Sequence, residues 1–320
     1  MSVEAEKIKR VSVPALDEML GVQFKALDDG FIRVIDYMGN DGAIVQAARI
    51  SYGEGTKHIS EDRGLIRYLM RHRHTTPIEQ CELKIHIRMP MDAWRQMIRH
   101  RMASVNEYST RYSEAIDSKQ KTPAGEWRLQ DKKNKQGSGD FLPVDIGKML
   151  SEDEAGFHDQ AQSLYEKRLE AGVAREQARK DLPLSTYTEA YWKIDLHNLL
   201  HYLSLRMDAH AQKEIREYAT IIGEKIVAPW VPLVWEAFKD YRLNAIALSA
   251  LDIEMLFLMR QINSAIPVES VTRNVITTGE RFGWFERRTD GTLKPNRERT
   301  EFEQKAAKLG FDIPWGRSEG

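Results

Sequence analysis

Apolar residues recur along this chain with two periods. From Cys81 to Met89 they alternate strictly: Cys81, Leu83, Ile85, Ile87 and Met89 fall on one side, and Glu82, Lys84, His86 and Arg88 on the other. A period of two predicts a strand with one buried face. FIRVIDYM, residues 31–38 between Gly30 and Gly39, predicts another strand. Helical spacing predicts a short helix from Ala43 to Ile50 and a longer one over 61–73, with Leu65, Ile66 and Leu69 on its apolar side, closed by Pro77. Pro90 opens a helix running to about residue 103, since proline is tolerated in a first turn. Trp94, Met97, Ile98 and Met102 form its apolar stripe.

Beyond it, the polar stretch 118–140, containing NKQGSGD, reads as a loop. Ser151 and Glu154 have the spacing of a capping box, so a helix is expected from there to Ala171, with Gly172 just past its end. A shorter helix starts near Ala174 and stops before Pro183, and two long ones cover about 186–206 and 210–227. From about residue 245 the pattern changes. GWFERRTDGTLK places an Asp290-Gly291 turn between two candidate strands, and ERTEFEQKAAKLG forms a charged helix with Phe302, Ala306 and Leu309 on one side. The expected organisation is a main domain over 1–244 and an appendage over 245–320, with no internal repeat.

Charge narrows the function. The 320 residues carry 47 basic and 48 acidic side chains, a net charge of −1, and 42% are apolar, enough for a real core. That balance argues against a general nucleic-acid or membrane-surface protein. The single cysteine, Cys81, excludes a disulfide framework and a cysteine-based zinc site within one chain. MSVEAEKIKR lacks the apolar core of a secretory signal, and the most apolar run, Ala245 to Met259, is interrupted by Asp252 and Glu254. The expected compartment is the cytosol.

Against this neutral background, RQMIRHRMASVNEYSTRYS (95–113) concentrates four arginines and a histidine, with Glu107 as its one carboxylate. On a helix, Gln96, Arg99 and His100 would share a face. After Ala103, Ser104, Asn106, Ser109 and Thr110 compete for backbone hydrogen bonds and favour a loop. Such a loop offers hydroxyls, backbone N–H groups and the planar fork of Arg111 to phosphate oxygens. On composition alone a solvated basic helix end is the simpler reading, but cations this dense repel one another unless an anion lies among them, and the donor-rich loop has small side chains that permit close approach. Glu107 either pairs with a neighbouring arginine or accepts from a nucleotide. His72 and His74 form an H-x-H pair, but flanking arginines argue against a divalent metal. In DLHNLLHYLSLRMDAH (195–210), Asp195, His197, His201 and Arg206 interrupt a leucine-rich helix. Arg206 in particular needs a polar or anionic partner if buried.

The stretch 99–113 resembles the signature of flavin-dependent thymidylate synthases, RHR followed by seven residues and a serine, here Ser109. HTTPIEQ (74–80), AREQARKDLPL (174–184) and YWKIDLHNLLHYLSLRMDAHAQ (191–212) resemble further blocks of that family in the same order, so the likeness covers roughly residues 24–241. It implies an α+β fold, an antiparallel sheet packed with long helices. It also implies reductive methylation of dUMP to dTMP with FAD, NADPH and 5,10-methylenetetrahydrofolate, in a homotetramer with shared active sites. Position by position, Arg99, His100 and Arg101 would hold FAD with Thr76, Asn106 and Glu107. Ser51 and His74 would line the flavin and folate region, and Asp195, His197 and His201 fall at flavin-contact positions where the family varies. Gln96, Arg99, Glu107, Tyr108, Ser109, Thr110 and Arg111 would surround dUMP, Arg179 would meet its phosphate, and Arg206 would sit at the uracil ring as the catalytic group. No metal is implied.

The residues themselves bear on the chemistry. Cys81 alternates with Leu83 and Ile85 on an apolar face, and a buried thiol is inert. Electrostatic activation of the uracil by Arg206 is therefore expected in place of a cysteine adduct. Arg206 would act as a fixed cation, because guanidinium does not deprotonate. Ser109 has no adjacent histidine in sequence to activate it and is expected to be a ligand contact. Two rivals remain: a nucleic-acid module, weakened because Tyr108 and Tyr112 form no stacking series, and an inactive flavin-binding relative, weakened by the intact set of polar residues.

Overall fold

The computed structural model describes residues 10–50, 59–116, 118–131, 137–261 and 268–315. The chain divides into two compact units, Met1–Asn244 and Ala245–Gly320. The first is built on a five-stranded antiparallel sheet. Its strands are β1 (Phe24–Ala26), β2 (Gly30–Met38), β3 (Glu82–Pro90), β4 (Ala103–Glu107) and, after a short hairpin of β5 (Arg128–Gln130) and β6 (Ser138–Phe141), β7 (Tyr187–Asp195). The order is β1-β2-β3-β7-β4, so β7 is inserted between β3 and β4.

Register explains the core. Ile87 pairs with Ile32 and Ala190, Ile85 with Val34 and Trp192, and Leu83 with Tyr37 and Ile194. These rows, all buried, pack in one cluster with Leu199, Leu200 and Leu203 of the helix Leu196–Arg206 and with Ile215 and Tyr218 of the helix Lys213–Ile221. Leu83, Ile85, Ile87 and Met89 of β3 are buried as expected, and so is Cys81 just before the strand. The other face is less solvated than alternation implies. His86 is buried, stacks on Tyr191 with ring centroids 5.0 Å apart, accepts from Arg33 Nε at 3.0 Å and meets Glu189 at 2.7 Å.

Several expectations change. The basic helix is only Met91–Met97, with Pro90 as its N-cap, and the strand begins again at Ala103. Ile98 and Met102 are consequently exposed rather than part of an apolar stripe. Residues 104–107 are not a loop: β4 pairs with β7, Val105 opposite Trp192. The long pattern 186–206 is a strand followed by a helix. Asp195 caps that helix by accepting from Asn198 N at 3.0 Å, which marks the switch. The 118–140 stretch contains the β5–β6 hairpin. Ser151 and Glu154 are not a capping box. They lie inside a 27-residue helix, Val144–Glu170, where Ser151 donates to Thr122 O and Glu154 accepts from Thr122 N. Gly172, at φ +78°, does end that helix. The 210–227 helix starts at Lys213 and widens to π-type turns from Ile222. Ser51 lies outside the described residues.

The second unit has its own core of Leu251, Met255, Met259, Val275, Trp284, Phe302 and Ala306, formed by the helices Ala250–Arg260, Val268–Glu280 and Arg297–Lys308. The Asp290-Gly291 turn is present, with Gly291 at φ +82° and a single bridge between Arg287 and Leu293 in place of two strands. Among the described residues no helix is long and apolar enough to cross a membrane.

One glycine tests the packing of the sheet against the 213–221 helix. A Cβ on Gly30 would fall 1.8 Å from the Tyr218 hydroxyl and 2.6 Å from the Ala26 carbonyl oxygen. That hydroxyl donates to Arg88 O at 2.7 Å. Gly30→Ala should lower unfolding free energy by about 1–3 kcal/mol in urea titration. A stability equal to wild type would contradict the packing described.

Candidate functional site

The site grows from the two ends of β4. Upstream, the turn 98–102 carries three basic residues of different standing. Arg99 and Arg101 are exposed and, among the described residues, make no ion pair, as is also true of Arg95. His100 is drawn inward. Its Nε2 accepts from Arg206 Nε at 3.1 Å, and its ring meets the edge of Tyr202 at 5.0 Å and lies 5.9 Å from His201. Burial, with the Arg206 charge next, pushes the imidazole down to about 4. At neutral pH it is therefore an uncharged acceptor that orients the guanidinium without neutralising it.

Downstream of β4, the turn 108–113 is tied to the segment 175–179. Arg179 donates to Thr110 Oγ1, Arg111 pairs with Glu176 at 3.1 Å, and Arg175 donates to Tyr112 O at 3.1 Å. The Arg111–Glu176 pair is more than half exposed on both sides, so it contributes only about 0–1 kcal/mol and yields readily to a stronger anion. Ser109 Oγ accepts from Arg111 N at 3.4 Å, and no histidine among the described residues bonds to it. Tyr108 OH donates to Glu114 O at 2.8 Å. Glu107 accepts from the Thr188 hydroxyl at 2.9 Å rather than from an arginine. Gln96, not on a common helix face with Arg99 and His100 as the spacing implied, is linked through Gln212 to Asp92.

The helix Leu196–Arg206 also walls a cavity of about 320 Å³. His74, His197 and His201 line it, as does Thr75, next to Thr76. Asp195 is not among its lining residues: its carboxylate caps the helix and accepts from Asn198 Nδ2 at 2.7 Å. Asn106 is exposed on β4 opposite Tyr191. The structure thus joins His100, His201 and Arg206 into one neighbourhood and Thr110, Arg111 and Arg179 into another, with β4 between. Sequence reasoning missed Tyr202, Thr188 and Gln212, which orient site residues, and Arg73 and Arg242, which line the cavity. Of these, Tyr202 and Gln212 fell inside a quoted block.

Residues 33–233 match the family described as thymidylate synthase complementing protein. A flavin-dependent thymidylate synthase of Wolbachia pipientis is 50% identical over 277 residues, 86% of this chain and 95% of that protein. The chain belongs to the flavin-dependent thymidylate synthase family. The synthase of Gluconobacter oxydans is 52% identical over 252 residues, covering 77% of this chain and 82% of its own length. Among solved structures, a UMP/dUMP methylase from Streptomyces cacaoi bound with 5-Br dUMP superposes with a TM-score of 0.62 at 30% identity, over 69% of this chain and 99% of that one. The family match lies wholly inside the first unit, whereas the Wolbachia likeness, at 86% of the chain, extends into the second. The mixed fold of helices and antiparallel sheet agrees with the expectation drawn from the sequence.

His100 has a pH signature. Its folded pKa lies below its unfolded value near 6.5, so unfolded chains take up the proton first as pH falls. Its favourable neutral state is fully present above pH 6.5, and stability declines from there through about 4. Buried His86 and His158 are also shifted down and contribute in the same direction. The melting temperature of His100→Gln should therefore fall less steeply than wild type between pH 6.5 and 4; parallel curves would refute the neutral assignment.

Proposed function

We propose that this protein carries out reductive methylation of dUMP to dTMP, with FAD as redox cofactor, NADPH as reductant and 5,10-methylenetetrahydrofolate as one-carbon donor. The observation that carries the reading is the Arg206–His100 pair: a cation oriented at 3.1 Å by an uncharged imidazole keeps its full charge for a ligand. Pyrimidine carbonyls and the N3 between them are suitable acceptors. As negative charge develops there, the guanidinium stabilises it, and electron density rises at C5. Arginine holds no proton to give or take in this range, so its contribution is electrostatic.

The donor set fits FAD. Arg99 and Arg101 are cations without carboxylate partners among the described residues, and the nearby cavity carries His74, His197 and His201 over apolar residues. Those residues, with Thr76, Asn106 and Glu107, would hold the flavin. When bound, FAD supplies the two-electron redox chemistry that no side chain here provides. Gln96, Tyr108, Ser109, Thr110 and Arg111 would hold the nucleotide, with Arg179 at its phosphate. Release of Arg111 from Glu176 costs little, for the reason of exposure given above. We also propose a homotetramer with shared active sites: β4 is an edge strand, largely exposed, and its Ser104 and Asn106 side chains have no hydrogen bond among the described residues.

A cysteine nucleophile is disfavoured on two counts. Cys81 is fully buried, and desolvation pushes its thiol up to about 12, so essentially no thiolate forms near neutrality. Its Sγ lies 3.6 Å from Asn40 O.

Two measurements test this. Arg206→Ala should cut dTMP formation from dUMP about 100–1,000-fold while the 450 nm absorbance of bound flavin persists; parallel loss of flavin and activity would remove the assigned role. Cys81→Ala should keep its activity and lose about 1–2 kcal/mol of stability. A folded, flavin-loaded Cys81→Ala protein without activity would overturn the cysteine-independent route.

A further inference from the structure

The cavity beside the 196–206 helix has a charge distribution that the residues assigned so far do not use. Its floor is apolar: Leu69, Met70, Ile78, Leu200 and Phe238. Arg73 and Arg242 stand at its lining too, and no carboxylate does. Neither guanidinium forms an ion pair among the described residues. The acidic side chains nearest in sequence to Arg242 are engaged elsewhere, Glu236 by Arg63 and Arg67, and Asp240 by Arg67.

Arg242 is half-buried and donates to neutral acceptors, Met70 O at 3.1 Å and Tyr241 O at 3.1 Å. Met70 O belongs to the last turn of the helix Ile59–His72, so part of the Arg242 charge faces a helix C-terminus. A helix end supplies only about half a negative charge. The Arg242 charge is therefore only partly compensated, and Arg73 beside it is exposed and without a carboxylate partner among the described residues. Burial, and then the charge of Arg73, hold Arg242 below its usual range. Arg73 is also held in the left-handed region at φ +59°, where a non-glycine residue is uncommon.

We propose that Arg73 and Arg242 form an anion-recognition lip on this cavity, taking the phosphate or carboxylate group of a ligand whose aromatic ring lies on the apolar floor. A volume of about 320 Å³ suits one ring system, not a whole dinucleotide. Arginine's fork matches either oxyanion bidentately. The identity of the ligand rests on the flavin-dependent reading, which offers three sources: the pyrophosphate of FAD, the phosphates of NADPH and the carboxylates of the folate.

Arg73→Gly is the informative variant, because glycine suits φ +59° and the backbone keeps its path. Arg242→Gln, which keeps amide donors for the two carbonyls, is the second. Full-length protein stripped of flavin is titrated calorimetrically with inorganic pyrophosphate, FAD, NADPH and methylenetetrahydrofolate, with riboflavin as the phosphate-free control. Both variants should weaken at least one of the four anionic ligands about tenfold or more and leave riboflavin unchanged, and the aromatic ligand affected names the source. Unchanged affinities for all four overturn the inference. Loss of dTMP formation by the wild type, with the anion effect intact, would count against the proposed function alone. Normal dTMP formation with no anion effect would count against the lip alone.

Discussion

The site depends on one constraint, the insertion of β7 between β3 and β4. Pairing of Val105 with Trp192 and of Ala103 with Ile194 fixes β4 at the sheet edge, and the same strand pairs Trp192 with Ile85 on its other side. Because side chains alternate, a slip of one residue would turn Trp192 and Ile194 out of the core. The register is thus held by burial. Its consequence is local: the helix Leu196–Arg206 springs directly from the end of β7, and the turn before β4 meets it. His100 and Arg206, 106 residues apart in sequence, come into hydrogen-bond contact through two segments anchored to one strand.

Electrostatics then differ between the scaffold and the site. Scaffold cations are matched: Arg63 and Arg67 with Glu236, Arg128 with Glu214 at 2.7 Å, Arg168 with Asp181 at 2.5 Å. In the site the matching fails or weakens. Arg99 and Arg101 have no described partner, Arg111 has an exposed one, and Arg206 has an uncharged one. A nearly neutral chain has enough carboxylates to pair these groups, so their isolation reflects placement rather than composition. Neutral His100 is essential to that arrangement. A protonated imidazole at 3.1 Å would repel the guanidinium it now orients.

Legibility in the sequence followed the range of the interactions. β3 was readable because its alternation is strict and its apolar face is buried, as is Cys81 just before it, although His86 on the other face is buried too. β4 was not, because Ser104, Asn106 and Glu107 have weak strand preference and the strand exists only through its distant partner. β7 was absorbed into a helix because Leu196–Arg206 follows without a glycine or proline. The alternation of Ala190, Trp192 and Ile194, and Asp195 as a cap, were the signals available. Site residues were named through the family resemblance, yet their grouping came from the fold: Arg179 with Thr110, Arg206 with His100, and Asp195 serving the helix end. Arg73 was legible only as a neighbour of the His72–His74 pair and Arg242 not at all, since nothing in either neighbourhood tells that the two segments share a cavity.

The position of Cys81 bears on the proposed mechanism. Its thiol sits in the core against Gly39, where a Cβ would lie 2.6 Å from the sulfur, and Gly39 adopts φ +85°. Its carbonyl accepts from Leu196 N at 2.8 Å, at the first residue of the helix that carries Arg206. The residue is thus committed twice to structure, by its side chain under the 39–40 turn and by its backbone at the start of that helix. Exposing the thiol would mean opening the 39–40 turn and straining the Leu196 N hydrogen bond at the start of the helix that carries Arg206, the residue proposed to polarise the pyrimidine. The burial of Cys81 and its raised thiol pKa thus support the proposed electrostatic route over a covalent one.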